Sequence, residues 1–486
     1  MPPASSPGLD DRLARVRFRR ALALLLMTLL IPGSAQLVAG SKRVGRVALR
    51  IWLGLIGATV AVLLLGFIWH GFVFWMVSNT AVLGLVRLVL MALAIGWALL
   101  FVDAWRIGQP LELRQKQRLG MVGINGVLCL SVAGTLLFAS HVVGVQRDFI
   151  TAMFAGGVVT DADQGRYNVL LLGGDSGADR WGMRPDSITV ASIDEDSGHT
   201  VLFGLPRNMT NFPFPEGSVM DAQFPDGFRC EGCYLNGLST WAADNAGLLE
   251  KYDDPSTEAT IEGVEGITGL EINYYAMVNL EGFRGLVDAV GGVQLNVRDR
   301  IPIGGGGGPV TDYIEPGRQR LDGYQTLWFA RSRESADDYS RMARQKCVMQ
   351  AMLDQLSPQV VVTKFEKIAK ASKDIISTNL PASELDRFME LAVRAKSQPV
   401  ATVSFVPPLI NTADPDVPLI QARVQAAIDR SAARENGEGE ARRATQRKKA
   451  DSAGGGASGP ATTGGSIGSM SKGYAANDAA NLSSAC

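Results

Sequence analysis

Three short segments concentrate the side chains that can do chemistry, and each follows an apolar run. In GGDSGADRWGMRPDS, residues 173–187, Asp175 ends a glycine pair and is followed by Asp179, Arg180, Arg184 and Asp186. In GLPRN, residues 204–208, Arg207 closes another apolar stretch. In RSRESADDYSRMARQ, residues 331–345, Arg331 and Arg333 precede Asp337 and Asp338, and Arg341 and Arg344 are three apart, on one face of a helix. Guanidinium groups grip phosphate oxygens two at a time. Carboxylates hold Mg²⁺, which usually also binds substrate phosphates. Together they can stabilise charge on a pyrophosphate leaving group. The competing reading is a set of surface salt bridges. The glycines spell neither a dinucleotide fingerprint nor a Walker loop, since GKS and GKT are absent. No Ser-His-Asp set is evident among three histidines, and His199 is expected in a surface turn.

These residues need a scaffold that brings strand ends together. YNVLLLG from Tyr167, SITVASI (187–193) and TVLFGL (200–205) read as buried strands, with DEDSGH as the turn between the last two. Residues 274–292 read as a helix stopped by Gly-Gly, VQLNVRD as a strand, and GGGGG (304–308) as a loop. Helices are expected at 321–333 and 338–356, continuing through 359–395, with a last strand near 400–407. This is an α/β sheet domain, in which loops at strand ends usually build the site.

The chain has 486 residues, 47 Lys and Arg against 48 Asp and Glu, and a net charge of -1. That balance gives no electrostatic case for nucleic acid, so no nucleic-acid partner is expected. The apolar residues are unevenly spread. Charge-free runs of 21, 36, 15 and 28 residues follow Arg20, Arg50, Arg87 and Arg118. Stretches 51–69, 82–102 and 119–140 are long enough to cross a bilayer, with Arg87 about one turn inside the second and able to snorkel. The first run is broken by Pro32-Gly33 and is expected to be re-entrant or a fourth helix at 21–39. Loops 40–50 and 103–118 are basic and loop 71–80 is uncharged, so the positive-inside rule places everything after about 145 outside the cell. The expected organisation is a cytoplasmic basic N-terminus (1–18), a multi-pass α-helical membrane region (19–141), a linker (142–164), the α/β domain (165–428) and a disordered Gly/Ser/Ala-rich tail (429–486).

Of five cysteines, Cys230 and Cys233 form a CEGC pair that reads as a structural disulfide or as free thiols. Cys347 reads as core and not as a nucleophile. Cys486 does not fit a prenylation pattern.

The chemistry-bearing segments, in this order, resemble the LytR-CpsA-Psr proteins of Gram-positive and actinobacterial envelopes. NVLLLGGDSG with MRPDSITVASID, TVLFGLPRN, GFRGLVDAVGGVQLNV and LDGYQTLWFARSRESADDYSRMARQ carry the resemblance over roughly 165–357. It implies an α/β/α three-layer extracytoplasmic domain. It also implies a phosphotransferase moving a glycopolymer from a polyprenyl pyrophosphate carrier to a muramic acid hydroxyl of peptidoglycan. By the same resemblance Asp175 and Asp186 would bind Mg²⁺ (or Mn²⁺), and Arg184, Arg207, Arg331, Arg333 and Arg341 would grip the pyrophosphate. Asp338, Arg344 and Gln345 would support the site. Two positions depart from the family pattern: Asn208 stands where aspartate is usual, and Ser187 where threonine is usual. Asparagine cannot act as a base. A hydrolase on the same carrier and a non-enzymatic scaffold or regulator are the competing functions.

Overall fold

The computed structural model describes residues 7–154, 156–175, 184–305, 308–334, 337–355, 376–435, 477 and 480–484. Asp179, Arg180, Cys486, the first part of the helix expected at 359–395 and most of the expected tail lie outside the described residues. The chain divides into two units, Met1–Thr151 and Ala152–Cys486.

The first unit is helical. Helix α1 (Pro7–Leu30) stops before Pro32, where the backbone turns through Gly33 at φ +90° into the short α2 (Ser34–Ala39). Then come α3 (Lys42–Ile68), α4 (His70–Ser78), α5 (Thr80–Ile107) and α6 (Gln115–Met153). Three of these, α3, α5 and α6, are long and apolar enough to cross a membrane. Helix α1 is not among them, and its break falls at the expected Pro-Gly pair. Leu25, Phe101 and Met121 join α1, α5 and α6 in a small core. Helix α6 runs on through Met153, so the stretch expected to be linker from 142 begins as helix. It contains no helix-breaking proline before that point.

The second unit is built on a six-stranded sheet. Its strands are β1 (Arg166–Asp175), β2 (Arg184–Asp194), β3 (Thr200–Leu205), β4 (Tyr274–Asn279), β9 (Ile376–Thr378) and β10 (Ala401–Ser404), in the order β10-β3-β2-β1-β4-β9. The β10/β3 and β1/β4 pairs are parallel and the others antiparallel. Successive leucines of β1 point to opposite faces, as strand geometry requires. Leu170 and Leu172 pack under α9 (Pro255–Thr268) and α14 (Val417–Glu435) in the main core. Leu171 and Val169 face clusters containing Met349 of α12 (Asp338–Gln355) and Leu391 of α13 (Leu385–Lys396). Helices on both faces of a sheet make three layers. Between β3 and α9 lie two short helices, α7 (Val219–Gln223) and α8 (Leu238–Asp244).

A second core lies beside the sheet. It joins α10 (Leu280–Val290), α11 (Gly323–Arg331) and α12 to two ribbons, β5 (Val293–Val297) with β8 (Gly317–Leu321) and β6 (Ile301–Gly304) with β7 (Val310–Ile314). The caps are readable in the chain. Asn279 accepts from Gly282 N to start α10, Asp322 and Gln325 form a capping box on α11, and Asp337 accepts from Ser340 N to start α12.

Three expectations change. Residues 274–279 are strand and not the start of a helix, because Tyr274 and Met277 are buried along the parallel pairing with β1. Residues 376–378 are a strand within the stretch expected to be helical, closing the sheet against β4. The tail does not begin as a coil at 429. Helix α14 continues to Glu435, held by buried Ile420, Val424 and Ala427 at helical spacing. Near the C-terminus Leu482 is fully buried beside Ala191 and Leu202, with its N–H donating to Val400 O at 2.9 Å. Cys230 and Cys233 are joined by a disulfide, and the core residue Cys347 is also disulfide-bonded.

The close approach of α9 to the loop after β3 depends on Gly266, where a Cβ would lie 2.1 Å from Pro213 O. Gly266→Ala should destabilise the protein by about 1–3 kcal/mol in urea unfolding. Gly247→Ala, with open space around its Cβ, should change it much less. Equal effects of the two would contradict this packing.

Candidate active site

The three segments singled out by residue type meet at one end of the sheet, around a cavity of about 870 Å³. Arg184 and Asp186 stand two apart on β2, at a bulge where the pairing with β1 skips Asp186, and both face the cavity. Arg207 and Asn208 follow β3 directly. Arg331 ends α11, Arg333 lies in the following loop, and Asp338 and Arg341 belong to the first turn of α12. All eight line the cavity. Asp175 is the last residue of β1 and pairs through its backbone with Arg184. The strand end that carries it therefore adjoins the cavity wall.

Two carboxylates organise the cations. Arg207 donates from NH1 to Asp186 Oδ1 at 2.6 Å and from Nε to Asp338 Oδ1 at 3.2 Å. Arg341, only 2% exposed, donates from NH2 to Asp338 Oδ2 at 3.0 Å and to the Asp186 backbone carbonyl at 2.9 Å. Arg333, half exposed, stands 3.7 Å from Asp338. Arg331 is exposed and lies over the Trp328 ring, 5.2 Å from its centroid. The buried Asn208 Oδ1 has no hydrogen-bond partner among the described residues.

Burial alone would raise the Asp186 proton affinity. The Arg341 and Arg207 charges, with hydrogen bonds from Arg207 and Asn236, outweigh it and hold the carboxyl below its ordinary value. Burial likewise opposes the charge on Arg207, but Asp338 and Asp186 prevail and raise its pKa. Burial dominates at Arg341, which is lowered.

The other expected supporting residues stand behind the cavity. Arg344, 1% exposed, donates from Nε to Phe329 O at 2.7 Å and from NH2 to Ser332 O. It ties the end of α11 and the loop carrying Arg331 and Arg333 to α12, and burial lowers its pKa to about 10. Gln345 Nε2 donates to Ala330 O at 3.4 Å. Ser187 and Gln345 border a separate cleft of about 30 Å³ between β2 and α12. Asp186 borders that cleft as well, but Ser187 is not among the residues lining the main cavity.

Residues outside the expected set also contribute. Asn236 donates from Nδ2 to Asp186 Oδ1 at 3.3 Å and accepts from Arg184 NH2 at 3.5 Å. It is held by its own N–H to Arg207 O and follows the Cys230–Cys233 loop. Glu334 and Trp328 complete the wall. Nothing in the spacing of the chain marks Asn236, since an asparagine in a loop has many ordinary uses. The β1 leucines Leu170 and Leu172 are buried in the main core, as expected of a buried strand.

A three-layer α/β domain with arginines and carboxylates converging at its strand ends has the charge and geometry suited to a phosphate-bearing ligand. The chain belongs to the LytR_cpsA_psr family, whose model matches residues 145–407. It is 27% identical over 292 residues to the polyisoprenyl-teichoic acid–peptidoglycan teichoic acid transferase TagU of Oceanobacillus iheyensis, covering 57% of this chain and 81% of that one. It is 25% identical to the cell wall biosynthesis protein LcpA of Corynebacterium glutamicum, covering 59% and 58%. It is 24% identical to biofilm regulatory protein A of Streptococcus mutans, covering 54% and 61%. The chain thus spans about three fifths of the length of two of these relatives.

The Asp186 ion pairs carry a pH signature. A depressed carboxyl pKa contributes stability that is complete above the ordinary value of 3.8 and is lost as pH falls through the folded value. In Arg207→Gln the Asp186 carboxyl should rise toward or past its ordinary value. Urea unfolding between about pH 3 and 7 should therefore show the variant less stable at neutral pH, with a shallower loss of stability toward acid, so that the two curves converge as pH falls. Parallel curves would contradict the assignment.

Proposed function

We infer that this protein transfers a glycopolymer from a polyprenyl pyrophosphate carrier to a peptidoglycan hydroxyl, from a multi-pass membrane anchor that places the second unit outside the cell. The observation that carries the chemistry is the excess of cation in one cavity, five arginines against the carboxylates Asp186, Glu334 and Asp338. A pyrophosphate supplies the missing negative charge. The name of the TagU relative supplies the class of polymer and acceptor, and that of LcpA places that relative in cell wall biosynthesis. The basic loops 40–50 and 103–118, flanking the uncharged 71–80, support the orientation.

In this reading Arg207, Arg333 and Arg341 grip the two phosphates, and Arg184 and Arg331 close the open side. The acceptor oxygen bonds to the phosphorus bearing the sugar as the bridging P–O bond breaks, and its proton passes to the leaving phosphate or to water in the open cavity. Polyprenyl phosphate leaves, and the arginines absorb its charge. Asp338 and Asp186 hold the arginines apart and aimed. Asp186, kept ionised by two guanidiniums, is a poor proton acceptor, and Asn208 is not a base. The arrangement therefore acts on the phosphorus more than on the attacking hydroxyl.

The donor set suits a divalent cation of the Mg²⁺ type, which commonly takes one or two carboxylates and completes its shell with phosphate and water. Asp186 is 37% exposed at the cavity wall despite its arginines, and Asp175 ends the neighbouring strand. These two would hold Mg²⁺ or Mn²⁺, which would supply further neutralisation of the pyrophosphate oxygens.

The test supplies the membrane-bound protein with radiolabelled lipid-linked oligosaccharide, peptidoglycan oligomer and Mg²⁺. Label should move to the acceptor. Arg331→Ala and Arg333→Ala, both at exposed positions, should each reduce transfer by about 100-fold or more. Release of phosphorylated sugar with none attached would make the protein a hydrolase. Normal attachment in both variants would make it a scaffold. Chelation with EDTA should stop transfer and added Mg²⁺ restore it; full activity in EDTA would exclude the cation.

A further inference from the structure

Two arginines in the first unit have no role in the chemistry described above. Arg87 lies on α5, seven residues or about 10 Å from its start, and Arg147 lies near the end of α6. The two helices run antiparallel at this level, and each arginine rests against a glycine of the other. A Cβ at Gly144 would come within 3.2 Å of Arg87 Cζ, and one at Gly84 within 3.7 Å of Arg147 Nε. Gly84 and Arg87 are three apart, as are Gly144 and Arg147, so the two arginine–glycine contacts lie about one helical turn apart along the helix pair.

Neither guanidinium has a hydrogen bond or ion pair among the described residues. Asp148 adjoins Arg147 in sequence, but consecutive helical residues do not face each other. The neighbouring polar groups are already engaged or are neutral. Ser140 Oγ donates to Arg87 O and Gln146 Nε2 donates to Val77 O at 2.7 Å. Arg87 lies inside the crossing stretch 82–102, where an ionisable residue is expensive and ordinarily finds a partner, and Arg147 is exposed just past the outer end of 119–140. Here two like charges are held together by a pair of glycines that let the side chains lie against the opposite backbone. That geometry calls for an anion from outside the chain.

We propose that Arg87 and Arg147 form a binding site for the phosphate head of a lipid in the outer leaflet. The proposal rests on the reading that α3, α5 and α6 cross the membrane with the second unit outside. Under it, both arginines lie at the outer ends of their helices. Guanidinium forks match phosphate oxygens two at a time, and two forks together suit a doubly charged head. The chemistry is shared by an isoprenoid monophosphate and by an anionic phospholipid.

The test uses the delipidated full-length chain in detergent, with native mass spectrometry reading the retention of farnesyl phosphate, phosphatidylglycerol and phosphatidylcholine. The wild type should retain the anionic lipids about tenfold or more over phosphatidylcholine. The double variant Arg87→Gln with Arg147→Gln should lose that preference, whereas Arg43→Gln, on α3, should keep it. Should the double variant fail to insert, Gly144→Ala keeps both charges while displacing Arg87, and should weaken retention several-fold. A preference for farnesyl phosphate over phosphatidylglycerol assigns the site to the carrier lipid; equal retention assigns it to bulk anionic lipid. Unchanged preference in both the double variant and Gly144→Ala overturns the proposal. Labelling of Ala81→Cys by an impermeant maleimide in intact cells tests the orientation separately, so a wrong topology is distinguishable from an absent site.

Discussion

The site depends on a charge arrangement in which carboxylates are interleaved between arginines. Five guanidiniums facing one cavity would repel each other strongly in a partly dehydrated space. Asp338 contacts three of them and Asp186 two, so the cluster can assemble before any ligand arrives. The same carboxylates leave the cavity short of negative charge. The result is stable enough to be built into the domain and still complementary to a polyanion.

Rigidity behind the cluster comes from ordinary backbone chemistry used at specific places. Arg344 spends its buried donors on the carbonyls of Phe329 and Ser332, which fixes the loop bearing Arg331 and Arg333. Asp337 caps the helix that presents Asp338 and Arg341. Asn236 joins Arg184 to Asp186 and is itself pinned to the backbone after β3. A transferase that works by positioning and electrostatics needs groups held before the substrate binds. Each of these contacts removes freedom from a cavity residue.

The two units answer different physical demands. The second buries apolar area on both faces of a sheet and keeps charge at its edge. The first carries long apolar helices with few charges, and two of these charges, Arg87 and Arg147, have no acid partner among the described residues. A glycine pair in one and a carboxylate pair in the other solve the same problem of holding arginines close.

Much was readable from the chain alone. The three apolar helices follow from charge-free length, and the break at Pro32-Gly33 from the chemistry of those residues. Strands β1, β2 and β3 follow from short β-branched runs ended by turn residues. Arg207 at a strand end and Arg341 with Arg344 on one helix face were visible because local periodicity fixes direction. What local pattern could not supply was long-range pairing. Residues 274–279 carry a spacing compatible with a helix, and only the parallel partner β1 makes them strand. Leu482 is buried because a distant edge strand accepts its backbone. Asn236 became a site residue only when the fold brought its loop beneath Asp186. The sequence by itself determined which charges exist and which elements bear them. Tertiary structure alone decided which charges meet, because ion pairing falls off over a few ångströms and those distances are set by packing between segments 21 to 155 residues apart.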